Sequence, residues 1–546
     1  MSEPKARIAR RDFARGAAWA ALAVGFAPVL AACGEGGAGR NMSGPPVLRR
    51  GTSNEPRSLD PHYVPGNAGA ALMYDMFEGL LSVDAAGELV PGLAERYDVS
   101  ESGTTYTFHL RPDLKWSDGT PLTSEDVLYS FRRSVDPSLA TRGSRVLASL
   151  RNFRPIIRGQ MPPESLGVSA PDAQTVVIEL VSPTSYLPDA LASFAAAIVP
   201  RHAIEAHGER WTTPDNIVVS GPYTLAEWIP NTSIRLVKNQ NYHDVANVAI
   251  EEVIFYPVER PATAVTRYRA GELDIVFNIP ADQIDALRSN DYADQVHSSP
   301  SIGTYYVLLN NDKAPTNDKR VREALSLSVD RELITAQLLR NEGNPAYTII
   351  PEAMPNYRGQ PSPMTQMTMD ERKARARALL ADAGYTQSSP LQLNYKFGGQ
   401  ESNRRVAVAL QSMWEEIGID VTLENVGGNG VVADSRSGNF EAIRYQYYAP
   451  FQDPVVFLQL MQSDAVVNLS KYSNPEFDRM LQEADRTLDP QQRIARLQEL
   501  ETIVMSDHPV IPIYYNQRNY LVSPRVNGWV DNVRGEHMSR YLSLAS

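Results

Sequence analysis

Leu391-Gln392-Leu393-Asn394-Tyr395-Lys396-Phe397, the run from Val406 to Ile417, and Ile419-Asp420-Val421-Thr422-Leu423 together decide how this chain folds. Leu391, Leu393, Tyr395 and Phe397 alternate with their neighbours, the period-two pattern of a strand, and Ile419, Val421 and Leu423 repeat it. Between them Val406, Ala409, Leu410, Met413, Trp414 and Ile417 fall three or four apart, which is one face of a helix. Strand, helix and strand in that order predict a βαβ unit with a parallel pair and a right-handed crossover.

Working outward, Val321, Ala324, Leu325, Ser328 and Val329 predict an amphipathic helix capped by Asn317 or Asp318. A second helix is predicted from Asp370 towards Ala383, stopping at Gly384. Tyr106-Thr107-Phe108-His109-Leu110 and Thr175 to Leu180 alternate as half-buried strands. Trp116-Ser117-Asp118-Gly119-Thr120-Pro121 predicts a tight turn, and Ser124-Glu125-Asp126 the cap of a helix running towards Arg133. The chain therefore reads as α/β with mixed sheets.

With 546 residues, 43% of them apolar, the chain has enough material for several lobes and reads as a folded, water-soluble body. Its formal charge is −12; five basic against two acidic residues in the first 32 positions leave the remainder near −15. Such a surface disfavours nucleic acid, whose binding relies on cationic neutralisation of phosphates. The single cysteine excludes an intramolecular disulfide and CxxC zinc sites.

That cysteine, Cys33, ends an apolar stretch, Ala17 to Ala32, preceded by Lys5, Arg7, Arg10, Arg11 and Arg15, the layout of a secretory signal. Leu30-Ala31-Ala32-Cys33 resembles a bacterial lipobox, which implies lipidation at Cys33. Arg10-Arg11-Asp12-Phe13 resembles a twin-arginine signal, so both Sec and twin-arginine export are open. Residues 1–33 are read as signal peptide with lipobox and 34–46, rich in Gly, Ala, Ser and Pro, as a flexible tether.

An enzyme would need a constellation that is missing: the eight histidines are scattered, there is no HExxH or GxSxG, and no cysteine lies inside the fold. His202 and His207 read as surface or capping residues. Gly428-Asn429-Gly430 with Ala433 faintly imitates a dinucleotide-binding turn and reads as a loop. No catalytic residue, metal or cofactor is expected.

Several ordered blocks carry a resemblance. Ser58-Leu59-Asp60-Pro61-His62, Phe77-Glu78-Gly79-Leu80-Leu81, Thr105 to Arg111 followed by Lys115 to Pro121, Ser220-Gly221-Pro222-Tyr223, Arg267 to Asp274 and Asn317 to Arg322 are similar to the extracytoplasmic oligopeptide- and dipeptide-binding proteins of bacterial ABC importers, solute-binding family 5. The likeness runs from about Arg49 to the C-terminus. It implies a periplasmic-binding-protein-like fold of type II in its large three-lobed form. Residues 47–77, 197–302 and 510–546 would form one ligand lobe, 303–509 the other across a hinge, and 78–196 an extra lobe. It also implies a periplasmic, membrane-anchored, monomeric lipoprotein that captures peptides or peptide-like solutes for ABC permease and ATPase subunits. A binding protein for another polar solute, or a sensor without transport, is the alternative; uptake loss on deletion separates them.

The resemblance also names site candidates. Tyr305 and Tyr306 match a segment that bonds ligand backbone, Arg444 a basic residue at the ligand's far end, and Asn403 falls near a family histidine. Arg436 and Arg340 add positive charge, and Tyr445, Gln446, Tyr447, Tyr448 and Phe451 supply hydroxyls, an amide and stacking surface. In the family a tryptophan and, three residues on, an aspartate hold the peptide amine; here Tyr447 and Pro450 stand there, and a family tyrosine of the same pocket is Gly143. Asp453 either substitutes for the missing carboxylate or is structural. The departure points to a peptide-like ligand with an atypical or absent amine, because a buried ammonium without its partner costs several kcal/mol.

Overall fold

The computed structural model describes residues 46–63, 69–139, 143–340 and 343–545. The signal segment with Cys33 and the tether, apart from residue 46, lie outside the described residues. No helix among the described residues is long and apolar enough to cross a membrane.

The βαβ unit is present. Strands Leu391–Phe397 and Ile419–Asn425 pair in parallel along their whole length, joined by helix Glu401–Glu415. The helix buries Val406, Leu410, Met413 and Trp414; Trp414 meets Tyr395 edge-on at 5.5 Å and donates from Nε1 to the Leu325 carbonyl at 3.1 Å. The chain then returns through a helix, Gly427–Ser437, to strand Ala442–Tyr448. This corrects the loop expected at Gly428-Asn429-Gly430. Three glycines in its first four positions lower helix propensity, but Val431 and Ser435 are buried where the helix packs on strands Leu391–Phe397 and Ala442–Tyr448.

Other local expectations shift by a residue or hold. Asp318 caps helix Lys319–Leu327 by accepting from the Arg320 N–H at 2.9 Å. Helix Met369–Asp382 is capped by Thr368, with Glu371 completing a capping box. Helix Ser124–Val135 is capped by Thr123 rather than Ser124: the Asp126 carboxylate accepts from the Thr123 N–H at 2.9 Å, so the Thr-x-x-Asp box starts one residue earlier. In the predicted turn Gly119 has φ +87°, and Asp118 Oδ1 accepts from the Thr120 N–H at 3.0 Å.

Ten strands follow one another in a mixed sheet, and an eleventh joins from the side. The order is Ile419–Asn425, Leu391–Phe397, Ala442–Tyr448, Val296–Leu309, Val510–Val522, Ile275–Phe277, Val47–Thr52, Glu252–Pro257, Ser233–Lys238 and Tyr223–Ile229; Gly343–Pro345 pairs with Val510–Val522 off this path. The two long strands at its centre, 14 and 13 residues, run antiparallel and carry the connection between its two flanks. A separate antiparallel sheet of four strands contains the predicted Thr105–Leu110 and Thr175–Glu179.

One buried acid makes stability depend on pH. Glu501 accepts from the Ile350 N–H at 2.9 Å and the Tyr357 hydroxyl at 2.7 Å, and burial pushes its carboxyl up to about 7 despite those donors. Between its ordinary value of 4.5 and about 7 the folded state holds more protons than the unfolded one, so this group's contribution falls as pH rises across that window. The drop is about 3 kcal/mol at 1.36 kcal/mol per pKa unit. Urea denaturation of Glu501→Gln should show that loss removed, because the Tyr357 hydroxyl can turn and accept from the new amide; an unchanged pH slope would refute the assignment.

Candidate ligand-binding site

Strand Ala442–Tyr448 sits between two neighbours but is paired unequally. Against Val296–Leu309 it pairs through all seven residues, from Leu309↔Ala442 to Gly303↔Tyr448. Against Leu391–Phe397 the pairing stops at Lys396↔Ile443, because the chain there turns away through Gly398-Gly399 into helix Glu401–Glu415. From Arg444 onward that edge has no strand beside it among the described residues.

Register says which backbone groups are left over. The Ala449 N–H donates to the Ile302 carbonyl at 2.9 Å, so in the antiparallel ladder the bonded pairs are Tyr447/Thr304 and Tyr445/Tyr306. Gln446 and Tyr448 therefore turn their N–H and C=O groups to the open edge, and Arg444 its C=O, while the parallel Lys396↔Ile443 pairing takes up the Arg444 N–H. Their side chains share one face and form a chain: Arg444 Nη2 donates to Gln446 Oε1 at 2.5 Å, and Gln446 Nε2 to the Tyr448 hydroxyl at 3.0 Å. Gly303 makes room for it, since a Cβ there would lie 2.4 Å from Tyr448 Cδ1.

The candidates differ in burial and in what pairs with them. Tyr305 and Tyr306 are 0% and 3% exposed, in a strand paired on both sides, so their backbone is not free for a ligand. Instead Tyr305 stacks on Tyr514 at 4.7 Å and carries the Arg444 guanidinium 4.9 Å from its ring centre; Tyr306 packs against Tyr445 at 5.7 Å. Arg444, Tyr445, Gln446, Tyr447 and Tyr448 are half-buried along the edge. Arg436, exposed on helix Gly427–Ser437, lies close enough to act on the Tyr445 hydroxyl, which burial pushes up and Arg436, Arg145 and Arg444 pull back. Asn403 is buried beside Gly398, where the neighbouring strand leaves the edge. Arg340 is exposed, in left-handed backbone at φ +45°.

Of the two roles open to Asp453, the geometry supports the structural one. Its carboxylate is paired with Arg493 Nη1 and Nη2 at 2.8 and 2.9 Å and also accepts from the Val455 N–H at 2.9 Å. Arg493 lies over Tyr186, whose ring stacks on Phe451 at 5.2 Å. Asp189, beside the same segment, is held by Arg534 and the Gln452 N–H. His202 is a surface residue 3.0 Å from Asp118.

Sequence reading missed Arg145 and Arg518. Arg145, in the turn Gly143–Leu147, acts on Tyr445 and Tyr447. Arg518 lies on a central strand with its guanidinium 5.5 Å from the Tyr448 ring centre, and it lines an adjoining cavity of about 70 Å³ with Arg50, Tyr520, Trp529, Glu536 and His537. A cavity of about 780 Å³ lined by Asp60, Tyr129, Arg133 and Trp211 includes none of the candidates. No cluster of three metal-ligating side chains occurs among the described residues.

A mixed sheet threaded by two long central strands, with one strand edge left open, is the build of a receiving surface, and the chain belongs to the bacterial extracellular solute-binding proteins of family 5, whose family model matches residues 88–468. Its fold is the periplasmic-binding-protein-like α/β fold of that family. Among its relatives, the periplasmic murein peptide-binding protein MppA of Escherichia coli is 35% identical over 488 residues, covering 89% of this chain and 90% of that one. The solved structure of that murein tripeptide binding protein superposes with a TM-score of 0.84, covering 91% and 98% of the two chains at 35% identity. Haemophilus influenzae OppA in complex with RPPGFSPFR gives 0.82 at 31% identity, again covering 91% and 98%. The probable deoxycholate-binding periplasmic protein YgiS of Escherichia coli is 34% identical over 520 residues, 95% of this chain and 96% of that one.

Proposed function

We propose that this chain is the substrate-binding lipoprotein of an ABC importer, anchored at Cys33 in the periplasm, that captures peptides or peptide-like solutes and passes them unaltered to a membrane permease. The open edge of Ala442–Tyr448 carries this reading. An extended guest adds there as a further strand, bonding the free N–H and C=O groups of Gln446 and Tyr448 and the C=O of Arg444, which is blind to guest sequence. Residues 47–77, 197–302 and 510–546 form one lobe and 303–509 the other, closing about the two central strands; residues 78–196 form the extra lobe that brings Arg145 to the guest. Closure excludes water and strengthens each polar contact. Support comes from relatives that bind murein peptide and RPPGFSPFR.

A non-peptide polar solute is the second reading, favoured by the likeness to YgiS.

The edge can be tested at one atom. Gln446→Pro removes the outward N–H without breaking a sheet bond, because proline is tolerated on an edge strand with its nitrogen facing out. Gln446→Ala keeps the N–H and loses only the side chain. Native mass spectrometry of the purified proteins should find a peptide-sized adduct on wild type and on Gln446→Ala, and at least tenfold less on Gln446→Pro. Equal occupancy of both variants would exclude strand addition at this edge.

A further inference from the structure

Four guanidinium groups surround the open edge, and their placement speaks to the charge of the guest. On the face of Tyr305 and Gly303 stand Arg444, over the Tyr305 ring, and Arg518, over the Tyr448 ring. On the opposite face Arg436 acts on Tyr445, and Arg145 acts on both Tyr445 and Tyr447. None of the four has a carboxylate within 4.0 Å among the described residues, although such pairs are frequent elsewhere in the molecule. Arg518 is 8% exposed and donates to the Gly535 carbonyl at 3.1 Å; Glu536, which also acts on it, is bonded to the Tyr74 hydroxyl at 2.7 Å.

Carboxylates near the Tyr448 end are already engaged. Asp453 is bound by Arg493, and Asp189 by Arg534. Every charged side chain that acts on the hydroxyls of Tyr445, Tyr447 and Tyr448 is an arginine: Arg436, Arg145 and Arg444 for the first, Arg145 for the second, Arg518 and Arg444 for the third. In a protein of net charge −12 this is a local inversion of sign. An ammonium group placed there would meet guanidinium charge on both faces, and the neighbouring carboxylate, Glu536, is buried, bonded to Tyr74 through one oxygen and already acted on by Arg534 and Arg518, whereas an anionic group would meet arginines able to bond it in a fork.

Resting on the reading of this edge as the capture site, we infer that the Tyr448 end of the site takes an anionic group, a carboxylate, from a guest that presents no free ammonium there, and that Arg518 with Arg145 receives it. Successive side chains of an added strand point to opposite faces, so neighbouring guest residues near Tyr448 meet Arg518 on one side and Arg145 on the other. Arg444 and Arg436 flank the other end, which makes the favoured guest acidic at both ends, such as an amino-blocked peptide with acidic side chains.

Isothermal titration of the purified protein with four probes tests this: acetyl-Ala-Glu-Glu, the same peptide with a free amine, Lys-Ala-Lys, and deoxycholate. The blocked acidic peptide should bind at least tenfold tighter than its free-amine form and a hundredfold tighter than Lys-Ala-Lys. Arg518→Glu should erase or reverse that order, while Arg518→Lys retains it, and equal urea midpoints certify that the variants are folded. Tighter binding of Lys-Ala-Lys, or an unchanged order in folded Arg518→Glu, overturns the inference and leaves peptide capture standing. Binding of deoxycholate alone, lost in Arg518→Glu, upholds the anionic site and overturns peptide capture. Absence of binding by all four overturns both.

Discussion

Glu78→Ala should lower stability by about 3 to 5 kcal/mol, the usual cost of removing one member of a buried ion pair. Glu78 accepts from Arg540 Nη1 at 2.6 Å and from the Tyr242 hydroxyl at 3.1 Å, and His243 Nε2 lies 2.6 Å from its other oxygen. Burial alone would push the carboxyl up, but Arg540 and His243 outweigh it and hold the group at about 2. Its folded value is depressed, so the stabilisation is fully present above the unfolded value near 4.5 and is lost as pH falls through about 2. The variant leaves Arg540, itself buried, with Ser82 and Tyr242 as hydrogen-bond partners and the Tyr541 ring centre 4.8 Å from its guanidinium. Urea midpoints at pH 7 and pH 3 check this: a large gap between wild type and variant at pH 7 should narrow in acid, and a gap below 1 kcal/mol at pH 7 would contradict it.

Arg331→Leu should cost a similar amount for a different reason. Arg331 is fully buried and has no carboxylate within 4.0 Å among the described residues; its Nε donates to the Ala346 and Pro512 carbonyls at 2.8 Å, and its Nη1 to those of Ser326 and Val329 at 3.2 Å. Desolvation pulls the guanidinium down to about 10, still charged at neutral pH. Leucine takes the donor from the buried carbonyls of Ala346, Pro512 and Val329, while that of Ser326 keeps the Val329 N–H; at roughly 1–3 kcal/mol each, not fully additive, the loss is about 4 kcal/mol. Because Pro512 lies on a central strand, deuterium uptake should also rise in residues 510–516. A variant as stable as wild type, with unchanged uptake there, would rule the role out.

Legibility followed the range of the interactions involved. The βαβ unit, the Lys319–Leu327 helix and the Thr105–Leu110 strand were readable because a buried face repeats every 2 or 3.6 residues whatever it packs against. The Gly427–Ser437 helix was not, since its glycines argue locally for a loop and only packing on two strands pays the difference. Arg331 gives no local sign of burial either: between Asp330 and Glu332 it reads as surface.

Blocks of residues sufficed to assign the family. Tertiary structure alone decided that Tyr305 and Tyr306 are buried in a strand paired on both sides, that Asp453 is bound to Arg493, and that Arg145 and Arg518 flank the edge. The physical reason is that side-chain periodicity belongs to one segment, whereas an unpaired edge and an unneutralised guanidinium are defined by which distant segments arrive beside them and which do not.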